Sequence, residues 1–492
     1  MNILCGYNVN IDSVYRISGA EFTELLDEIA GNKITGNEEE EEEEEELGKE
    51  EGESGKGKKK GVRSTASLTR AEILDKIENP PGIINSLSDF AAGLAYCMKN
   101  GLGAEWLVQE PLVFDFLKGR YLEKSLVRMG GNAGIMANVL SELGAFQVIP
   151  NIAVPSKSQL SLFSKKAIYF PGMAGKKPCS SDSPAMLARQ NKDPIHFVFD
   201  FTDGDIFSLF GEEIRIPREN RFIATFDELN LRLFINPAFE AYALQHIRKM
   251  DGALISGFHI LLENYPEGTT YPDRIEKALS ELRAWKTRNK KLAIHVELGH
   301  FSSRRMARDV FLKFAEVADS LGMNEEELAM LYSLHGLPPE AIIKRDAETL
   351  AKAALALASE HGLSRLLIHT REFGLSVFRE NSGQKAPEFE ALEFGIRAAA
   401  AFAASGKLKG RDFVEKTTAS LPRSNFGKAR VGEFLKAFEG APYREGAFAH
   451  SGGYTLCLLP TLLCENPVST VGLGDTFTAS FFLRGLELRV QA

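Results

Sequence analysis

Val471-Gly-Leu-Gly-Asp-Thr-Phe-Thr-Ala-Ser480 is the stretch on which the reading of this chain turns. Two glycines flank one leucine, an aspartate follows at once, and Phe477, Ala479, Phe481 and Phe482 supply an apolar helical run behind them. Gly472 and Gly474 let the backbone turn tightly and approach a bound group with no Cβ in the way. The peptide N–H groups of such a turn point outward at a helix start, where the helix dipole favours an anion. Asp475 then sets a carboxylate beside that anion pocket. A kinase acting on a hydroxyl needs this pairing. The cradle of Gly472, Leu473 and Gly474 stabilises a phosphoryl group in flight, and the carboxylate takes the proton of the attacking alcohol. The same ten residues also suit an aspartate that merely caps an ordinary helix.

Upstream of this stretch, short apolar strands alternate with helices. Strands are expected over 2–7, 195–201, 221–226, 253–256, 292–296 and 365–369. Helices are expected over 135–143, 272–288, 303–318, 325–334 and 347–361, with helix starts at Thr69-x-x-Glu72 and Ser86-x-x-Asp89. Such alternation argues for a parallel sheet covered on both faces, and ligands of these sheets bind outside the carboxyl ends of the strands. The regular order breaks over about 13–79 and again over about 156–230. A large α/β domain over 1–12, 80–155 and 231–492, with a smaller β-rich lid assembled from 13–79 and 156–230, accounts for this pattern.

Composition limits the function classes. At 492 residues, with 44% hydrophobic and 25% charged residues, the chain has the make-up of a soluble globular protein with a large core. The net charge of −9 is concentrated: residues 37–61 hold 12 Glu against 5 Lys, so the remainder carries only −2. No basic face suggests nucleic acid. The nine consecutive glutamates at 38–46 repel one another and have nothing to bury, which predicts that 37–61 is a disordered insertion. Gly52-Glu-Ser-Gly-Lys-Gly57 is not a phosphate-binding P-loop, because Glu50 stands where its first glycine belongs and Gly57 where Ser or Thr should be. The five cysteines form no C-x-x-C pair, no apolar run reaches the ~20 residues of a membrane span, and the N-terminus lacks signal-peptide order. A cytoplasmic location is the expectation.

Further motifs stand just past strands. Asn10-Ile-Asp12 follows the first; Gly130-Gly-Asn-Ala-Gly134 opens a helix; His295-Val-Glu297 ends one strand, and Asn324-Glu-Glu-Glu327 follows another. Pro217-Arg-Glu-Asn-Arg-Phe222 lies in the expected lid. In this order the motifs resemble the ribokinase superfamily, and within it the ADP-dependent sugar kinases of archaea, the phosphofructokinase and glucokinase group. The resemblance spans essentially the whole chain except the glutamate insertion. It implies a ribokinase-like three-layer α/β/α core with a smaller β-rich lid that closes over the substrates and excludes water.

The resemblance also implies roles. Asp475 is the base, with Gly472, Gly474 and Arg221 stabilising the migrating charge. Gly472, Leu473, Gly474, Asn324 and His295 face the nucleotide. Glu297, Glu327 and Asp475 are the metal carboxylates for Mg²⁺, a hard cation that keeps several waters. Asn10, Asp12, Glu105, Gly131, Asn132, His196, Lys177 and Arg221 face the sugar. Alternatives remain at several of these positions. Glu327 sits at a helix start, where acids are favoured anyway; His295 suits an ordinary polar strand end; Gly131 and Asn132 suit a simple turn; and the aromatics around His196 suit packing.

Lys176, Lys177 and Arg221 favour a phosphorylated acceptor, and Glu105 resembles the acid that holds glucose. The expected reaction transfers the β-phosphoryl of ADP to the 1-hydroxyl of fructose 6-phosphate, giving AMP, with glucose as a second substrate. Adenine is expected against 373–377 and 456–459. The alternatives are an ADP-dependent glucokinase, an ATP-dependent sugar kinase sharing the glycine turn, and a non-catalytic interaction protein working through the acidic loop. Partners are the sugar or sugar phosphate and ADP, with neither nucleic acid nor membrane, and both monomer and homodimer remain open.

Overall fold

The computed structural model describes residues 1–30, 70–153, 155–171, 178–180, 193–265, 267–301, 303–333, 339–379 and 384–491. The acidic insertion at 37–61, Thr69, Lys176 and Lys177 lie outside the described residues. The chain divides into two compact units. One comprises Met1–Ile11, Met129–Pro194 and Asp227–Ala492, and the other Asp12–Arg128 and Ile195–Phe226.

The larger unit is built on a ten-stranded sheet. Six neighbouring strands, Gln147–Pro150, Asn2–Gly6, Gly252–Ile255, Ala293–Glu297, Ser320–Asn324 and Arg365–His369, run parallel. Their side chains are almost all buried, as expected of strands covered on both faces. The all-parallel expectation needs correction beyond Arg365–His369. Phe373–Arg379, Tyr454–Pro460, Gly446–Ser451 and Ala441–Tyr443 continue the sheet antiparallel. The link from His369 to Phe373 is too short for a crossover helix, so the next strand has to return alongside its predecessor. The last helix, Leu473–Gln491, buries Phe477, Ala479, Phe481, Phe482, Leu483 and Leu486. Burial of each large apolar side chain contributes roughly 1.5–3 kcal/mol, so the start of this helix is firmly seated.

The smaller unit has a six-stranded sheet in the order Ile83–Ile84, Ala104–Val108, Asn220–Phe226, Ile195–Phe201, Asn10–Arg16, Leu126–Gly130. Period-two alternation sends Phe197, Phe199 and Phe201 to one face. There Phe199 packs 5.1 Å from Phe90 of helix Leu87–Asn100, and Phe222 packs 5.3 Å from Trp106. This explains why the boundaries differ from the sequence expectation. Residues 80–128 belong to the smaller unit, because helix Leu87–Asn100 covers its aromatic face and strand Ala104–Val108 joins its sheet. Residues 156–194 belong to the larger unit, where Leu160, Phe163, Ile168 and Phe170 enter its core. The smaller unit is also less purely β than expected, with helices Gly19–Ala30, Arg70–Glu78, Leu87–Asn100 and Pro111–Tyr121. Among the described residues no helix is long and apolar enough to cross a membrane.

Candidate active site

The glycine turn of the larger unit has the geometry its sequence demands. Gly472 takes φ +80°, a left-handed value that penalises any Cβ. Gly474 is required for a different reason: a Cβ there would lie 2.8 Å from His369 Cε1. Because the helix begins at Leu473, Asp475 falls in its first turn and is not the residue capping it. The plain capping reading therefore fails. Asp475 is half-buried, and its Oδ1 accepts a 2.7 Å hydrogen bond from Asn132 Nδ2. Asn132 in turn starts helix Asn132–Glu142 behind Gly131, whose φ is +72°.

Beneath this turn lies Glu297, 3% exposed at the end of its strand. His369 Nε2 meets its Oε1 at 2.8 Å, while His295 Nε2 and Thr478 Oγ1 reach Oε2 at 3.1 and 3.0 Å. Burial pushes the Glu297 carboxyl up, but hydrogen bonds from His295 and His369 outweigh it and hold the group well below the usual range. Burial pushes His369 down, and the hydrogen bond and charge of Glu297, with Glu327 and Glu325 adding, raise it instead. The result is an imidazolium–carboxylate pair under the cradle. His295 is fully buried, with Nδ1 2.6 Å from Ser320 Oγ and Nε2 on Glu297. It has no surface left for a nucleotide, which corrects its expected cofactor-binding role; it orients Glu297.

Asn324 and Glu327 hold each other reciprocally. The Asn324 backbone N–H and Nδ2 donate to the two Glu327 carboxylate oxygens at 3.0 and 2.9 Å, and Asn324 Oδ1 accepts from the Glu327 N–H at 2.9 Å. This is a capping arrangement of helix Glu325–Ser333, and it leaves each Glu327 oxygen a free lone pair. Burial first, then the charges of Glu297 and Asp475, push Glu327 up to about 7 against the pull of His369. The three carboxylates thus share one neighbourhood. Among the described residues no group of three or more His, Cys, Asp or Glu side chains is arranged to hold a metal directly. With Glu297 and Glu327 already hydrogen-bonded, the donor set fits a hydrated hard cation held through water, as Mg²⁺ prefers.

The strands expected to receive adenine do not present a surface. Phe373, Leu375, Val377, Leu456, Leu458 and Leu459 are fully buried, interior to the mixed sheet, which overturns that expectation.

In the smaller unit, strand register gathers the expected sugar residues on the face opposite the phenylalanines. Arg221 pairs with Asp200, Thr225 with His196, and Ile223 with Glu105. Glu105 Oε1 accepts from Thr225 Oγ1 at 2.6 Å and lies 3.4 Å from His196 Nδ1. Arg221 Nε lies 3.8 Å from Asp200 Oδ1, and Arg128 Nε 3.8 Å from Asp12 Oδ2. Burial pushes the Asp200 carboxyl up despite the opposing charges of Arg221, Arg128 and Arg16. Asn10 belongs to the larger unit, 1% exposed beside Gly131. Lys177 lies outside the described residues. The sequence reading missed His369, Asn8, Thr478, Asp200, Thr225 and Arg128. Thr478 alone carried a signal, one helical turn beyond Asp475.

Comparisons with known proteins agree with this geometry. Residues 59–484 match the family model described as the ADP-specific phosphofructokinase/glucokinase conserved region. The chain is 30% identical over 421 residues to an ADP-dependent glucose/glucosamine kinase of Pyrococcus furiosus, covering 84% of this chain and 87% of that one. It is 26% identical over 495 residues to an ADP-specific phosphofructokinase of Thermococcus zilligii, covering 99% and 96%. In three dimensions it resembles the crystal structure of a hypothetical ADP-dependent phosphofructokinase from Pyrococcus horikoshii. There the TM-score is 0.78 with 24% identity, covering 100% of this chain and 99% of that one.

Proposed function

The chain belongs to the ADP-specific phosphofructokinase/glucokinase family, and from that premise we propose that it transfers the β-phosphoryl of ADP to the 1-hydroxyl of fructose 6-phosphate, releasing AMP. The observation that carries this reading is the half-buried Asp475 carboxylate, held by Asn132 at the start of a helix whose glycine turn can bind an anion. Asp475 takes the proton of the attacking hydroxyl as the new O–P bond forms and the bond to AMP breaks. The N–H groups of Gly472, Leu473 and Gly474 receive the negative charge of the migrating group. Arg221 adds a guanidinium to the same task, and Asn324 faces the nucleotide. Asn10, Asp12, Glu105, Gly131, Asn132 and His196 are assigned to the acceptor. Lys177 is assigned to its phosphate. Glucose is a second acceptor, a reading supported by the hydrogen-bonded Glu105 carboxylate.

Glu297 and Glu327 would hold Mg²⁺ through water, and the ion would neutralise phosphate charge. Chelation with EDTA should then abolish AMP formation, and added Mg²⁺ should restore it. Activity that survives exhaustive chelation contradicts the metal assignment. The buried free thiols of Cys5, Cys97 and Cys457 support placing the enzyme in the reducing cytoplasm.

The deciding experiment is an activity grid read by formation of the phosphorylated sugar, with AMP release checked where ADP is the donor, crossing ADP, ATP and pyrophosphate with fructose 6-phosphate and glucose. ADP with fructose 6-phosphate should give the highest kcat/KM. Turnover with ATP but not ADP would remove the donor assignment. An efficiency on glucose equal to that on fructose 6-phosphate would reverse the acceptor order.

A further inference from the structure

Asn8, which follows the first strand, is 3% exposed, so both ends of its amide need partners inside the protein. Its Nδ2 donates to Asn132 Oδ1 at 3.3 Å, and its Oδ1 accepts from the Ala133 N–H at 3.5 Å. Asn132 Nδ2 donates to Asp475 Oδ1 at 2.7 Å. The three side chains form one directional relay, and each orientation follows from the next. A carboxylate only accepts, so Asn132 must turn its NH₂ toward Asp475. Its carbonyl oxygen then faces Asn8, which must present its own NH₂, leaving the Asn8 oxygen for the backbone donor of Ala133.

The slot that holds Asn8 is made by two glycines in left-handed conformations. A Cβ on Gly257, φ +97°, would lie 2.8 Å from Asn8 Oδ1, and one on Gly131, φ +72°, would lie 2.6 Å from the Asn8 carbonyl oxygen. Gly257 thus clears space for the Asn8 side chain and Gly131 for its backbone carbonyl, and the side chain reaches Asp475 through Asn132.

We propose that Asn8 is a positioning residue for the phosphoryl transfer: it locks the Asn132 amide in the one orientation that donates to Asp475, and so aims the other carboxylate oxygen at the acceptor hydroxyl. Without Asn8, the Asn132 amide is free to flip and present its oxygen to Asp475, which repels the carboxylate from its working position. A displacement of that kind costs about 10- to 100-fold in rate. The proposal rests on Asp475 being the base.

Its test uses Asn8→Asp, which keeps the size and the oxygen facing Ala133 but deletes the donor, together with Asn132→Ala and the double variant. Asn8→Ala is the second single variant, deleting the donor without adding charge. Rates are taken per folded molecule, judged by near-ultraviolet circular dichroism, on whichever donor–acceptor pair the wild type turns over fastest. Both Asn8 variants should lose about 10-fold or more in kcat with the KM for ADP within about twofold. The double variant should be no slower than Asn132→Ala alone, because Asn8 acts through Asn132. An Asn8 variant with unchanged kcat, a loss confined to KM, or a double variant whose losses multiply would each overturn the relay. Failure of the functional reading is a separate result, since it shows in the wild type as no AMP from ADP with any sugar.

Discussion

Asp475→Asn should lower kcat by about 10²- to 10⁴-fold, the range for losing a positioned general base, while ADP affinity stays nearly unchanged. The substitution preserves shape, and the Asn amide oxygen can still accept the hydrogen bond that Asn132 Nδ2 now gives to Asp475 at 2.7 Å. The helix start and glycine turn that would bind the nucleotide remain. Only the ability to take a proton from the acceptor disappears. Steady-state AMP release and calorimetric ADP binding, measured on the same preparation, separate the two effects. A variant that keeps more than half of the wild-type turnover removes Asp475 from its role.

Glu297→Leu should cost about 3–5 kcal/mol of stability, the range for breaking one side of a buried ion pair. Leucine fills the space but accepts nothing, so His295 Nε2, His369 Nε2 and Thr478 Oγ1 all lose an acceptor in the interior. The cost should vary with pH in a definite sense. Glu297 is depressed from its ordinary 4.5, so its contribution is present above that value and fades as pH falls below it. His369 is raised from its ordinary 6.5, so its contribution is complete below that value and fades as pH rises toward its folded pKa. The gap between wild type and variant should therefore be widest between pH 4.5 and 6.5 and shrink on both sides. Urea unfolding across pH 4–9 measures it. A gap below about 1 kcal/mol at pH 6, the size of an ordinary surface pair, would mean the carboxylate is not holding its neighbours.

Periodicity placed the strands it named to within about two residues, because covered strands must be apolar throughout, but it named neither Gln147–Pro150 nor Phe373–Arg379 as a strand. Residues 365–369 are the plainest case, predicted and found as Arg365–His369. What periodicity does not carry is direction. Phe373–Arg379 is as apolar as the parallel strands, and only the short link after His369 turns it back. The boundary errors have a similar origin. Helix Leu87–Asn100 reads as a core helix, and which sheet it covers depends on contacts such as Phe90 with Phe199, more than a hundred residues away.

Within the site, the glycine turn was legible because Gly472 needs a conformation few residues tolerate. His369 was invisible because one histidine at a strand end looks ordinary. Its meaning comes from register, which sets it opposite Asn324 and against Gly474. Asn8 was hidden by its neighbours, since Asn10 and Asp12 drew the attention that motif spacing allots.

Asp475 and its supporting amide are 343 positions apart in the chain, and the first member of the relay comes earlier still. A nascent polypeptide leaving the ribosome therefore exposes its early sheet edge long before the closing helix can be synthesised. Until Leu473–Gln491 emerges and docks, the growing chain lacks the Asp475 carboxylate that the earlier amides are placed to meet.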